Sequence, residues 1–267
     1  QSGFSHIIKT IEDEFGFPVL IRGKGGVRLT ENGRALLPAI REILNANDHM
    51  DQIVANIRGM SFGRLRIGTF ASASVLWLPK IIEEFSHDYP GIQIEIIVGG
   101  NDSLISQLDE SCIDFAIMSN PPQGYEWIHL ASDRMLVLLP PGHRLVDKDR
   151  VTLDEIDDDP FILSNEGFDY DVSQIIKGSG ITPRLSFSTM ENRGIIAMIQ
   201  HGLGVTVMPE MVLDSLESNV ITKELAPCEY RHMGIIVKSV HTASLAAKTF
   251  ISYAKRIISE LGTYPPI

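Results

Sequence analysis

Residues 1–30 read QSGFSHIIKTIEDEFGFPVLIRGKGGVRLT, and their spacing decides how the chain begins. Phe4, Ile7, Ile8, Ile11 and Phe15 recur at three- and four-residue steps, which predicts an amphipathic helix over 2–15. Gly16 should end it, and Pro18 prevents its restart. The opposite face carries Gln1, Ser2, Ser5, His6 and Lys9, short or flexible hydrogen-bonding groups suited to base edges and phosphates. Val19-Leu20-Ile21-Arg22 and Val27-Arg28-Leu29-Thr30 then read as two short strands joined by the glycine-rich turn Gly23-Lys24-Gly25-Gly26. A helix followed by a small basic hairpin is the winged form of a helix-turn-helix. Arg22, Lys24, Arg28 and Thr30 are its candidate DNA contacts, and the plain alternative is a solvated loop.

Thr30 is placed to cap a long helix through about Arg58. Leu36, Ile40, Ile43, Asn47, Met50, Val54 and Ile57 alternate steps of four and three, which is a heptad seam. Such a seam needs a partner helix, most simply from a second copy of the chain. Asn47 within it would help specify the pairing. The alternative is packing against the chain's own body. Gly59, Ser61 and Gly63 then mark a linker.

The chain has 267 residues, 44% hydrophobic and 21% charged, which excludes a disordered chain, a collagen and a disulfide-rich miniprotein. No apolar run is long enough for a spanning helix. The net charge of −11 is unevenly spread: residues 1–64 hold eight Lys/Arg and seven acids, so the remainder carries −12. An acidic body repels nucleic acid, which leaves the N-terminal segment as the place for it. Cys112 and Cys228 lie far apart in the sequence, and Cys112 reads as a buried small hydrophobe. A reduced, cytoplasmic protein is expected.

The order of Gln1-Ser2-Gly3-Phe4-Ser5, Ile8, Ile11-Glu12, Glu14, Gly16, Pro18, Leu20, Arg22 and Leu29-Thr30-x-x-Gly33 resembles the DNA-binding segment of LysR-type transcriptional regulators. The likeness continues through Arg66-Ile67-Gly68, Leu78-Pro79, Phe85, Tyr89-Pro90, Ile113-Asp114, Gly202-x-Gly204-Val205 and Met208-Pro209, so it covers essentially the whole chain. It implies that the first helix and most of the second precede Gln1, about 25–30 residues. It also implies a partial winged helix-turn-helix over 1–30, a dimerisation helix and hinge over 31–63, and an effector-binding domain over 64–267. The partners implied are promoter DNA, a small-molecule effector and further copies of the chain as dimer or tetramer, with RNA polymerase a further candidate.

The body alternates strand-like and helix-like pieces, which argues for an α/β fold with parallel sheets. Strands are expected at 65–68, 92–98, 115–118, 135–139, 161–163, 185–187, 205–208 and 233–238. Helices are expected at 75–89, 103–110, 172–179, 193–201, 210–216 and 242–261. Two halves of similar content suggest two Rossmann-like subdomains, and the resemblance implies the two-lobed arrangement of periplasmic binding proteins. Lobe I is expected at about 64–138 and 238–267 and lobe II at about 139–237, with crossings near Leu138–Gly142 and Arg231–Val237.

Ligands in such folds sit beyond the carboxyl ends of strands, near helix N-termini. That picks out Thr69, Ser72, Ser74, Asn101, Ser119-Asn120, Ser164-Asn165-Glu166 and Thr189. The resemblance favours Ser72 and Asn101, while a helix cap or a turn would explain the same residue types. Helix-start N–H groups near Ser72 and Ser74 would favour an anion. Glu166, Asp169 and Glu191, if they point inward, would favour a cationic or amphoteric ligand.

No Gly-x-Ser-x-Gly elbow, His-Glu-x-x-His pair or Walker loop occurs, and the eight histidines show no metal-ligand spacing. No cofactor, metal or enzymatic activity is expected. The competing functional reading is a two-lobed solute-binding protein without a DNA role, and it leaves the heptad helix and the basic hairpin without a task.

Overall fold

The computed structural model describes residues 2–23, 26–57, 62–120, 123–164, 170–189, 191–216, 220–262 and 264. Helix α1 spans Ser2–Phe15 and stops where Gly16, at φ +75, donates its N–H to the Glu12 carbonyl. A left-handed residue at that position suits glycine. Strands β1 (Leu20–Gly23) and β2 (Gly26–Leu29) pair antiparallel with Leu20 opposite Leu29. The Glu12 carboxylate accepts the N–H groups of Val19 at 2.8 Å and Leu20 at 3.0 Å, so the hairpin is pinned to α1.

Thr30 caps α2 (Glu31–Ile57): its Oγ1 accepts the Gly33 N–H at 2.9 Å and donates to the Pro18 carbonyl. Gly33 has to be glycine, because a Cβ there would overlap the Val19 carbonyl oxygen. Helix α2 does lie on the chain's own body, through polar groups. Arg41 donates to Glu110 at 2.8 Å, Asn45 accepts from Arg66 at 2.6 Å and donates to the Ser111 carbonyl at 3.1 Å, and Lys238 donates to Glu42 at 2.9 Å. The seam residues Ile40, Ile43, Asn47, Met50 and Val54 are exposed, as is Leu44 beside them, while Leu36 is half-buried. The side chain of Ile57, and residues Gly59 and Ser61, lie outside the described residues.

The first part of the body runs β3 (Phe62–Thr69), α3 (Ala71–Leu76), α4 (Leu78–Asp88), β4 (Gly91–Val98), α5 (Asn101–Asp109) and β5 (Phe115–Ser119). The long strand β6 (Glu126–Leu139) follows, then β7 (Arg150–Val151), β8 (Pro160–Ser164), α6 (Tyr170–Ser179), β9 (Arg184–Thr189) and α7 (Asn192–Gln200). The chain ends with β10 (Thr206–Pro209), α8 (Glu210–Leu216), β11 (Ile221–Leu225), β12 (Tyr230–Val237) and α9 (Leu245–Leu261). Strand β3 is parallel to β4 and β5, and β8 is parallel to β9. Strand β6 instead pairs antiparallel with β12 along its first part and with β10 and β11 along its second. The sheets are therefore mixed.

An eight-stranded sheet runs through both lobes and β8–β9 pair separately, and in each lobe apolar layers cover both faces of the strands. In lobe I, Leu65, Ile67, Phe85, Phe115, Ile235 and Phe250 pack on one face, and Leu104, Leu108, Ile113 and Met118 on the other. In lobe II, Val137, Ile156, Phe161 and Val205 form one layer, and Leu138, Ile162, Ile195 and Ile199 the second.

Three expectations change. The helix expected over 75–89 is two helices broken at Trp77, because Pro79 opens the second and has no N–H for a continuous ladder. The crossing expected near Leu138–Gly142 comes earlier: β6 exchanges β12 for β10 and β11 between Arg134 and Leu136, so Leu138 already pairs inside lobe II. Cys112 is half-buried, with Sγ 4.0 Å from the Glu110 carboxylate, so it is no core hydrophobe.

Candidate functional site

Where β6 and β12 run side by side between the lobes, Arg231 and Asp133 are direct partners across the ladder. Arg231 Nη2 and Nε donate to Asp133 Oδ2 at 2.7 and 3.1 Å. The Met211 N–H, at the start of α8, reaches Asp133 Oδ1 at 3.1 Å. Both side chains are buried. Burial pushes the Asp133 carboxyl above the usual carboxylate range, and Arg231 and the Met211 N–H pull against that shift.

Lobe I supplies further groups to this place. Ser72 Oγ accepts from Arg231 Nη2 at 3.4 Å, and the Phe70 ring lies 4.7 Å from the guanidinium. Ser119 closes β5, and the Asn101 amide holds its carbonyl at 3.0 Å. Asn120 sits at φ +49, a left-handed position that asparagine tolerates better than most residues.

Lobe II answers with Asp171, in the first turn of α6. Its Oδ2 accepts from Ser119 Oγ at 2.9 Å, and its Oδ1 accepts from Asn120 Nδ2 at 2.7 Å. Arg231 Nη1 stands 4.0 Å from Asp171 Oδ2. A carboxylate of one lobe is thus held by donors of the other.

Beside Asp171 is a cavity of about 40 Å³, lined by Ser164, Val172, Ile195, Thr206, Met208 and Arg231 among others. That is room for a water or two. Thr206 Oγ1 donates to the Ile162 carbonyl at 2.6 Å, whereas the buried Ser164 Oγ has no hydrogen-bond partner among the described residues. On the other side of Asp171 a cavity of about 570 Å³ opens between Asn120, Asp154, Gln174, Glu229 and Tyr230.

Of the residues chosen from sequence, Ser72 and Ser119 reach this junction. Thr69 and Asn101 are buried next to it but engaged locally, Thr69 Oγ1 on the Phe70 carbonyl and Asn101 on Ser119. Ser74 is taken up inside its own helix, donating to the Ala71 carbonyl at 2.6 Å. Thr189 is taken up in a turn, where it accepts the Glu191 N–H at 3.2 Å. Glu191 is exposed and caps α7, accepting the Arg193 N–H. Asn165, Glu166 and Asp169 lie outside the described residues. The helix start near Ser72 is not an open anion seat: α3 is six residues long, and the Arg231 cation stands at Ser72.

Sequence reasoning missed Arg231, Asp133, Asp171 and Thr206, whereas the positions of Asn120 and Ser164 just past strands were readable. A signal existed for the first two. Arg231 lies just before the apolar run Met233–Val237, and Asp133 just before the apolar run Met135–Leu139. Charges in buried strands are seldom found unpaired.

At the N-terminal end, Ser5, His6, Lys9 and Arg22 line one shallow concavity with Glu12 and Asp13. Arg22 Nη1 donates to Ser5 Oγ at 3.2 Å, which ties the hairpin to the exposed face of α1. The N–H groups of Leu20 and Val19 hold the Glu12 carboxyl below the usual range, and Arg22 adds to the effect. Arg28 is exposed on β2, and the Thr30 hydroxyl is engaged in the cap. Gln1, Lys24 and the side chain of Ser2 lie outside the described residues. Among the described residues there is no cluster of three or more metal-ligating side chains and no helix long and apolar enough to cross a membrane.

A model of the LysR substrate binding domain matches residues 58–258. The chain is 34% identical over 260 residues to the uncharacterized HTH-type transcriptional regulator YvbU of Bacillus subtilis (strain 168), a match covering 96% of this chain and 89% of that protein. A full-length OxyR variant from Pseudomonas aeruginosa has the same fold, with a TM-score of 0.74 at 21% identity over 96% of this chain and 85% of that one. The effector binding domain of QuiR in complex with shikimate matches with a TM-score of 0.67 at 20% identity, over 75% of this chain and 99% of that one. The chain belongs to the LysR family of transcriptional regulators.

Proposed function

We propose that this protein is a ligand-responsive DNA-binding regulator in which a small molecule held between the two lobes changes how paired N-terminal segments sit on a promoter. The observation that carries the reading is the contact of Asp171 with Ser119 and Asn120, which joins the lobes beside a buried cavity. Ser72, Ser119 and Asn120 are the effector contacts on lobe I, with Ser164, Asp171 and Arg231 facing them. A ligand that binds one lobe spacing better than another shifts that equilibrium by its differential affinity. The chain continues from lobe I into α2, so the shift is passed on through Asn45–Arg66, Arg41–Glu110 and Glu42–Lys238.

On the DNA side, Ser5, His6 and Lys9 present the exposed face of α1 to base edges, and Arg22 and Arg28 contact phosphates. The exposed seam of α2 pairs two chains, and contacts between effector domains join two pairs into a tetramer. RNA polymerase is a further partner of this reading. Selection of genomic fragments by the full-length protein, at stated salt, tests it. Enrichment of a site with two-fold symmetry is the expected result, and flat enrichment with a folded dimer would remove the DNA role.

A further inference from the structure

We propose that the Asp171 carboxylate is a built-in stand-in for the effector, and that the ligand class of the cleft is a small organic carboxylate that takes its place. The inference rests on the reading of the cleft as an effector site and names what enters it. Three donors of the described residues face Asp171: the Ser119 hydroxyl at 2.9 Å, the Asn120 amide at 2.7 Å and the Arg231 guanidinium at 4.0 Å. Hydroxyl, amide and guanidinium groups converging on one point form a carboxylate cradle. Asp171 fills it imperfectly, since its Oδ2 stops short of hydrogen-bond distance to Arg231 Nη1. A free carboxylate, not tethered to α6, can settle closer.

Two further observations point to a ligand. Ser164 Oγ is buried, lines the adjoining cavity and has no hydrogen-bond partner among the described residues. A buried hydroxyl left without a partner is costly, and a polar group of a bound molecule would satisfy it. The cavity itself, at about 40 Å³, is too small for an organic ligand while Asp171 is in place. Val172, Ile195 and Met208 give it an apolar wall, so the body of the ligand beyond its carboxylate is compact and largely apolar.

Charge decides between an anion and a cation. Arg231 is already faced by Asp133 and Asp171. An anion that expels Asp171 leaves the net charge of the junction unchanged. An anion added beside Asp171 would raise an uncompensated negative charge in a buried place, which is expensive. Entry of a carboxylate is therefore coupled to release of Asp171 from lobe I, and the lobes separate as the ligand binds.

The part of Asp171 beyond its Cα is an acetate unit, so acetate is the natural probe. We would titrate acetate and propionate, with choline as the cationic control, into the full chain at constant ionic strength, using calorimetry and thermal unfolding. Asp171→Ala vacates the cradle and is expected to bind acetate at least ~10-fold more tightly than the unaltered chain, because the internal competitor no longer lowers the binding-competent fraction. Asp171→Asn keeps the shape, removes the charge and should gain less. Adding Ser119→Ala to Asp171→Ala should cancel the gain. Equal acetate affinity in the unaltered chain and both single variants would overturn the proposal. Saturable choline binding that Asp171→Ala abolishes would overturn the carboxylate class while keeping the cleft as the effector site. Absence of binding by every probe to every form would overturn the exchange and the effector cleft together, leaving the DNA role to its own test.

Discussion

Arg231 and Asp133 face each other across the β6–β12 ladder, and the guanidinium closes on the carboxylate at 2.7 Å with both side chains buried. The pair sits where the chain passes between lobes, so its loss acts on both. Asp133→Ala would leave a buried cation with only the more distant Asp171, and such a break costs about 3–5 kcal/mol. The apolar double replacement Asp133→Leu with Arg231→Met removes both charges and should recover most of that loss. Urea unfolding midpoints give the comparison. A single-variant loss under about 1 kcal/mol would mean that the pair is not isolated from water as the structure has it.

How much of this was legible depends on the range of the interaction that makes each feature. Helix α1 was readable to its ends, because Phe4, Ile7, Ile8, Ile11 and Phe15 set the period and Gly16 the stop, all within one local stretch. The Thr30 cap was readable for the same reason. The break at Trp77 was also local, since Pro79 carries it, yet the apolar period of 75–89 runs straight through and hides it. Strand β6 was half seen: Met135–Leu139 is continuously apolar, whereas the part from Glu126 to Arg134 mixes Glu, His, Ser and Asp with apolar residues. Its strand identity comes from pairing with β12, far along the chain. The Asp171 latch is further from reach, because it exists only once two lobes have folded and met. Ser72 and Ser119 could be chosen by position after a strand, but nothing local said that Arg231 and Asp171 would meet them.

The Glu12 carboxylate holds two backbone N–H groups of the hairpin, and its pKa is lowered mainly by that of Leu20 and then by that of Val19. A carboxyl whose folded value is depressed contributes order that is present above its unfolded value and lost as pH falls through the folded one. The protection of the Val19 and Leu20 amides, relative to the intrinsic exchange rate at each pH, should therefore fall below about pH 4, the ordinary glutamate range. Glu12→Gln should show low protection already at neutral pH and little further loss of protection on acidification. Matching exchange profiles for the two proteins would contradict a pinning role for Glu12.

Arg28 stands exposed on β2, opposite Ile21 in the hairpin. If the hairpin lies on the phosphate backbone, Arg28→Ala removes one counterion-releasing contact. The slope of log K against log salt should then fall by about 0.9, and binding should weaken on all sequences alike. Fluorescence anisotropy at four salt concentrations reads the slope. A loss confined to one base position would instead assign Arg28 to base readout.

Ile43 is 69% exposed on the single chain, while Arg41, Glu42 and Asn45 close beside it hold α2 to lobe I. On the proposed pairing the two faces of one helix have separate tasks, and a change at Ile43 should leave the docking face alone. Ile40, Met50 and Val54 continue the uncovered seam, and Leu44 widens it. Burying an isoleucine is worth about 1.5–3 kcal/mol, and a two-fold pairing buries two of them at this level. Ile43→Asp removes both and sets two carboxylates against each other, so dimer dissociation should rise by more than about 100-fold. Sedimentation equilibrium measures the mass, and circular dichroism should show the helical content of the folded monomer preserved. An unchanged dimer mass would place the contact between copies elsewhere than on this seam.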